Sequence, residues 1–119
     1  MRLHLRSAFL ALATAATLSS SALAFTMDEE INHLLDAISA SPCTFIRNGV
    51  SYDGRAAVEH IRMKYEYYRL EIHSTDDFIA LAATKSMMSG RPYLVQCGAQ
   101  SMPAADWLKR ELAAFRQHS

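Results

Sequence analysis

The sequence is short of the residues that usually advertise a chemistry. Its 119 residues include two cysteines, three prolines, four glycines and one tryptophan. Cys43 and Cys97 stand far apart, so there is no C-x-x-C redox motif and no cysteine–histidine cluster of the kind that holds zinc. There is no G-x-S-x-G elbow, which excludes the commonest serine-hydrolase arrangement, and no cofactor motif. Charge of one sign is not in excess: twelve basic side chains balance twelve acidic ones. A nucleic-acid binder needs a basic surface to follow phosphates, so that class is excluded. No apolar run reaches the ~20 residues needed to cross a bilayer as a helix.

What is present begins with a tripartite N-terminus. Arg2 and Arg6 precede an apolar run over residues 9–18, and Ser19-Ser20-Ser21-Ala22-Leu23-Ala24 follows. That is the layout of a cleaved secretory signal peptide, residues 1–24. Neither Phe25 nor Thr26 could accept a lipid, and no Arg-Arg pair signals twin-arginine export. The expectation is a periplasmic protein of residues 25–119. It has ten basic and twelve acidic side chains, with no membrane insertion after cleavage. A chain of this size makes a single small domain. In an oxidising compartment Cys43 and Cys97 are expected to pair. Closing so long a loop is worth about 4 kcal/mol on the chain-entropy account.

Local signals then order the elements. Thr26-Met27-Asp28-Glu29 fits a capping box, and Ile31, Leu34, Leu35 and Ile38 lie on one helical face. Asn48-Gly49 between Cys43-Thr44-Phe45-Ile46-Arg47 and Val50-Ser51-Tyr52 predicts a two-residue hairpin. Cys43, Phe45, Val50 and Tyr52 are expected on its buried side. Asp53 caps a long helix over residues 54–72 with a core stripe Val58, Ile61, Tyr65, Tyr68 and Ile72. Ser74 starts a short helix, residues 84–92 form a loop, and Tyr93–Cys97 form a strand. Residues 98–102 turn, and Pro103 opens a last helix. The predicted fold is α+β, in the order α-β-β-α-α-β-α. A three-stranded sheet is packed by helices and carries one disulfide.

Several of these residues carry a resemblance when taken together. They are Glu30-Ile31, Cys43-Thr44-Phe45-Ile46-Arg47-Asn48-Gly49, Tyr52, His60 to Lys64, Asp77-Phe78-Ile79, Ser89-Gly90-Arg91-Pro92-Tyr93 and Trp107-Leu108. With the signal peptide, they resemble the small periplasmic YfeK-like proteins, a family of unknown function from Gram-negative bacteria. The resemblance implies a location and a one-domain organisation but no activity.

The long helix divides by angle into faces. Arg55, Glu59, Arg62, Glu66, Arg69 and His73 alternate in sign and read as a solvated ladder. His60, Lys64, Tyr67 and Glu71 make a second stripe at one edge of the core, and all four can share protons. His60 titrates near neutrality and is the natural acid or base of the set. Lys64 one turn away would repel a cation, so no metal is expected there. The two cations also repel each other. Either a carboxylate such as Glu71 or a bound anion would offset that. The loop carrying Ser86, Ser89, Gly90 and Arg91, which leads into Tyr93, is the second candidate.

These residues predict a non-enzymatic binding or interaction module of the cell envelope, acting on a protein or a small polar or anionic ligand, without cofactor. Its ligand-binding candidates are His60, Lys64, Tyr67, Ser86, Ser89, Gly90, Arg91 and Tyr93. The rival reading is a small hydrolase or transferase using His60. A third rests on residues 89–93, which are similar to the S-G-x-x-Y motif that periplasmic lysozyme inhibitors insert into an enzyme's cleft.

Overall fold

A computed structural model of the chain describes residues 11–14 and 23–118. The expected signal segment falls mostly outside them. Helix α1 (Met27–Ala40) opens on the capping box: Thr26 Oγ1 accepts from the Glu29 amide, and the Glu29 carboxylate accepts from the Thr26 amide. Ile31, Leu34, Leu35 and Ile38 are buried as the 3.6-residue period requires. Strands β1 (Thr44–Arg47) and β2 (Val50–Tyr52) follow. Their turn holds Asn48 and Gly49 at positive φ, 51° and 76°. Asp53 caps helix α2 (Gly54–Tyr67), and Ser74 caps helix α3 (Thr75–Ala82). Strands β3 (Leu94–Cys97) and β4 (Gln100–Pro103) then lead into helix α4 (Ala104–Arg116).

Two expectations need correction. The sheet has four strands, not three, in the antiparallel order β2-β1-β3-β4. The stretch expected to be a plain turn closes a second hairpin at Gly98, and Gln100–Pro103 pairs with Leu94–Cys97. The element order is therefore α-β-β-α-α-β-β-α. The long helix stops at Tyr67 and gives way to a 3₁₀ turn, Arg69–Glu71. Ile72 still reaches the core, because the tighter turn rotates it inward.

The register explains how the core is built. Tyr52, Phe45, Val95 and Met102 lie opposite one another across the four strands on one face. Helices α2 and α4 lie against the sheet, and α1 and α3 pack with them to close a core around Leu34, Ile38, Phe78 and Leu108. Val50 is on the predicted face yet stays 52% exposed, because the hairpin tip extends past the helices. Cys43 and Cys97 form the disulfide, one residue beyond the Thr44–Gln96 pair. At the other side of the molecule the buried Glu30 carboxylate binds α3 and α4 together. It accepts from Thr75 Oγ1 at 2.7 Å and from Arg116 at 2.6 and 3.0 Å. The Arg116 hydrogen bonds hold Glu30 below its ordinary pKa, against the opposing effect of burial.

Two substitutions test this architecture. A Cβ on Gly54 would run into the Ile38 carbonyl oxygen and sit 3.1 Å from that of Ser39. Helix propensity alone favours alanine by about 1 kcal/mol. Overpacking should win, so Gly54→Ala should lower stability by roughly 1–3 kcal/mol in urea denaturation. An unchanged or raised midpoint would show that α1 and α2 do not touch there. Replacing Cys43 and Cys97 by serine should lower stability by about 2–4 kcal/mol. Wild-type protein treated with reductant should behave like that variant.

Candidate functional site

The row of residues next to the Phe45 row carries the site. Arg47 pairs with Val50 in the β1–β2 register. Extending the β1–β3 register by one pair sets Arg47 opposite Tyr93. The Ala104 amide donates to the Tyr93 carbonyl at 2.8 Å and continues the row. A strand position that points toward the helices ordinarily holds an apolar side chain. Here it holds a guanidinium, at the end of the sheet where α2 and the loop over residues 84–92 close over it.

From α2, His60 and Lys64 descend onto this row. Arg47 Nη1 contacts both ring nitrogens of His60, and Nη2 donates to Tyr52 Oη at 3.0 Å. His60 Nε2 lies 3.0 Å from the Tyr93 hydroxyl. Lys64 is only 7% exposed. Its ammonium donates to the Lys85 carbonyl at 2.7 Å and to Tyr93 Oη at 3.2 Å. An ammonium has three N–H donors, so one remains beyond these two bonds among the described residues. Ser86 is buried in the loop, and its Oγ accepts from Asn48 at 3.1 Å. Ser89 Oγ donates to the Asn48 side-chain oxygen, which ties loop to hairpin.

The protonation states follow from these partners. Arginine can only donate, so the imidazole facing it must accept. A protonated ring would set N–H against N–H. Burial, then the charges of Arg47 and Lys64, accordingly push His60 below its ordinary pKa. Burial, Arg47 and Lys85 likewise lower Lys64. Burial raises the Tyr93 phenol, so it stays a neutral hydrogen-bonding group. No carboxylate contributes to any of these three shifts.

Together these groups floor a cleft of about 430 Å³, with Val50, Met87 and Met88 at its rim. Met88 is 98% exposed. No aspartate or glutamate lines the cleft among the described residues. Beside it lies a smaller recess of about 40 Å³ lined by Phe45, Ile46, Ala56, Ala57, Ile61 and Ala104. It shares Arg47, Tyr52, His60 and Tyr93 with the outer cleft.

Of the residues expected from sequence, His60, Lys64, Ser86 and Tyr93 meet in the cleft. Tyr67 does not: it is 71% exposed and packs edge-on against Tyr68. Glu71 is likewise exposed, one turn too far along, and offsets nothing. Ser89, Gly90 and Arg91 lie on the outside of the loop rather than in the cleft wall. Within residues 89–93, Ser89, Gly90, Arg91 and Pro92 are exposed, and Tyr93 is turned inward and buried. The alternating ladder, which runs from α2 through the 3₁₀ turn to His73, is exposed throughout, and Glu66 and Arg69 form an ion pair at 3.4 Å. Sequence reasoning missed Arg47, Asn48 and Tyr52. The available signal was the alternation Cys43, Phe45, Arg47, which places a cation on the core side of a strand.

No helix among the described residues is long and apolar enough to cross a membrane. The profile of a family of unknown function (DUF5329) matches residues 25–116. A protein of Salmonella typhimurium named "Uncharacterized protein YfeK" is 34% identical over 67 residues. That alignment covers 56% of each chain, so the match spans little more than half of this relative's length. No solved structure matches the chain.

The depressed His60 pKa gives a signed prediction. The unfolded state binds the proton first, near pH 6.5. His60 therefore contributes stability above that pH and withdraws it as pH falls through the lower folded value. Thermal melts between pH 7.5 and 5 should show a smaller acid loss in His60→Gln than in the wild type. In an NMR titration, Lys64→Met should move the His60 midpoint upward. A midpoint above 6.5 in the wild type would contradict the donor–acceptor assignment.

Proposed function

The chain belongs to the DUF5329 family of unknown function, and from that premise we propose that it is a binding module of the cell envelope whose cleft takes a small anion. One observation carries this reading: the buried Lys64 ammonium stands beside the Arg47 guanidinium, and no carboxylate lines the cleft to neutralise either. A buried charge without a partner of opposite sign costs several kcal/mol. A bound anion would remove that penalty and would accept from the spare Lys64 donor, the Arg47 fork and the Tyr93 hydroxyl. Export is supported by the disulfide and by a family match that starts at Phe25, the first residue after the expected cut.

The observations favour binding over catalysis. The partners of His60 among the described residues are Arg47 and Tyr93, and no serine or cysteine lies within hydrogen-bond reach of it. Tyr93 is the nearest hydroxyl, and its raised pKa suits a donor rather than a nucleophile. The neutral imidazole then acts as a switchable wall of the site. An anion held against it stabilises the imidazolium, so binding should draw in a proton and strengthen as pH falls toward the depressed His60 pKa.

The test is NMR titration of the folded chain with inorganic phosphate and with acetate. The expected result is saturable shifts at Arg47, His60, Lys64 and Tyr93, with tighter binding at pH 5.5 than at pH 7.5. Arg47→Gln should weaken binding at least about tenfold (roughly 1.4 kcal/mol). Absence of localised shifts with either anion at millimolar concentration would overturn the reading.

A further inference from the structure

The anion site has a second half. Next to the cations lies an apolar recess of about 40 Å³, and Arg47, Tyr52, His60 and Tyr93 line both spaces. The remaining lining residues are apolar: Phe45, Ile46, Ala56, Ala57, Ile61 and Ala104. Alanine at three of those positions is what keeps the space open, since a larger side chain at 56, 57 or 104 would fill it. The surface the recess presents is almost wholly apolar, which suits an apolar group. At this volume the group is one or two carbons, not a ring or a long chain.

From the two halves together we propose that the ligand is a carboxylate whose neighbouring carbon bears a methyl-sized group. The carboxylate lies on Arg47 and Lys64, and the methyl enters the recess beneath His60. This rests on the anion-binding reading and sharpens it. Inorganic phosphate and sulfate have nothing to place in the recess. The outer cleft of about 430 Å³ is roomier than a bare carboxylate needs, and Val50, Met87 and Met88 give it an apolar rim. Two sources share the required chemistry: a free short-chain acid, and the terminal alanine of a peptide whose preceding residues leave over the methionine rim.

The recess explains features that anion binding alone leaves open. A cationic floor requires no apolar space behind it. Such a space does select among anions. Burying one carbon in such a place is worth about a fourfold gain in affinity (roughly 0.8 kcal/mol).

The experiment compares phosphate, acetate, propionate, pivalate and N-acetyl-Ala-Ala on the wild-type chain and on Ala56→Leu, with thermal melts confirming that the variant folds. Propionate should bind about fourfold more tightly than acetate, and pivalate, too wide for the recess, should show no such gain. In Ala56→Leu the preference should vanish while acetate and phosphate still bind. A nuclear Overhauser contact between the propionate methyl and the Ala56 or Ala104 methyl would supply the same answer without mutation. A peptide that binds more tightly than propionate identifies the chain-terminal source, and the reverse order identifies the free acid. Equal affinity for acetate and propionate would overturn the proposal, as would a preference that survives in Ala56→Leu. In either case acetate and phosphate still bind, so the anion-binding reading stands. If no anion binds at all, that reading fails first.

Discussion

The pairing of β1 with β3 is the constraint on which the rest of the molecule depends. The two strands come from opposite halves of the chain and stand at the centre of the sheet. Local preference cannot set their register. The Cys43–Cys97 bond sets it by fixing the next pair beyond Thr44–Gln96. Side chains alternate across a strand, so a slip of one residue would turn the whole inward row to solvent. Phe45 and Val95 would leave the core, and Arg47 would leave the cleft. The same covalent tie thus secures the apolar row and, two residues along, the polar one.

The two buried charges, Glu30 and Lys64, are handled in opposite ways. Around Glu30 the fold supplies a bidentate arginine and a hydroxyl, and the carboxylate is satisfied. Around Lys64 it supplies only neutral acceptors, the Lys85 carbonyl and the Tyr93 hydroxyl. Both arrangements obey the rule that buried polar atoms find partners. They differ in net charge, since the first cluster is neutralised and the second stays positive. A sequence with twelve acidic side chains had the means to neutralise the second. The exposed carboxylates Glu59 and Glu66 sit on the same helix, on the face turned away from the cleft.

Much of this was legible from local chemistry. Thr26 with Glu29, Asp53 and Ser74 announce three helix starts, because capping is a property of a few consecutive residues. Asn48-Gly49 announces the first hairpin for the same reason. Strand β4 was not legible: Gln100-Ser101-Met102-Pro103 lacks β-branched residues and ends in proline, and it becomes a strand through the neighbour that β3 offers. The helix angles correctly set His60 beside Lys64. They also grouped Tyr67 and Glu71 with them, since an angle carries no information about how far along the helix the covering loop extends. The alternation Cys43, Phe45, Arg47 put Arg47 on the core side of its strand, but that Tyr93 comes to lie opposite it is a tertiary fact.

The manner in which the cations are held bears on what the cleft can do. Arg47 is braced by the Tyr52 hydroxyl, the Tyr52 ring and His60, and Lys64 by a carbonyl, a phenol and the Tyr93 ring. These partners are dipoles and π-faces. They fix position without cancelling charge. A carboxylate in any one of those places would have fixed its side chain just as well and cancelled one of the two charges. Bracing by neutral groups keeps the field intact and spares a ligand the entropy of ordering two long side chains. Arg47, Tyr52, His60 and Tyr93 line both cleft and recess, so in the proposed complex charge and shape would be read by the same four side chains. The register of two central strands holds Arg47 in that place.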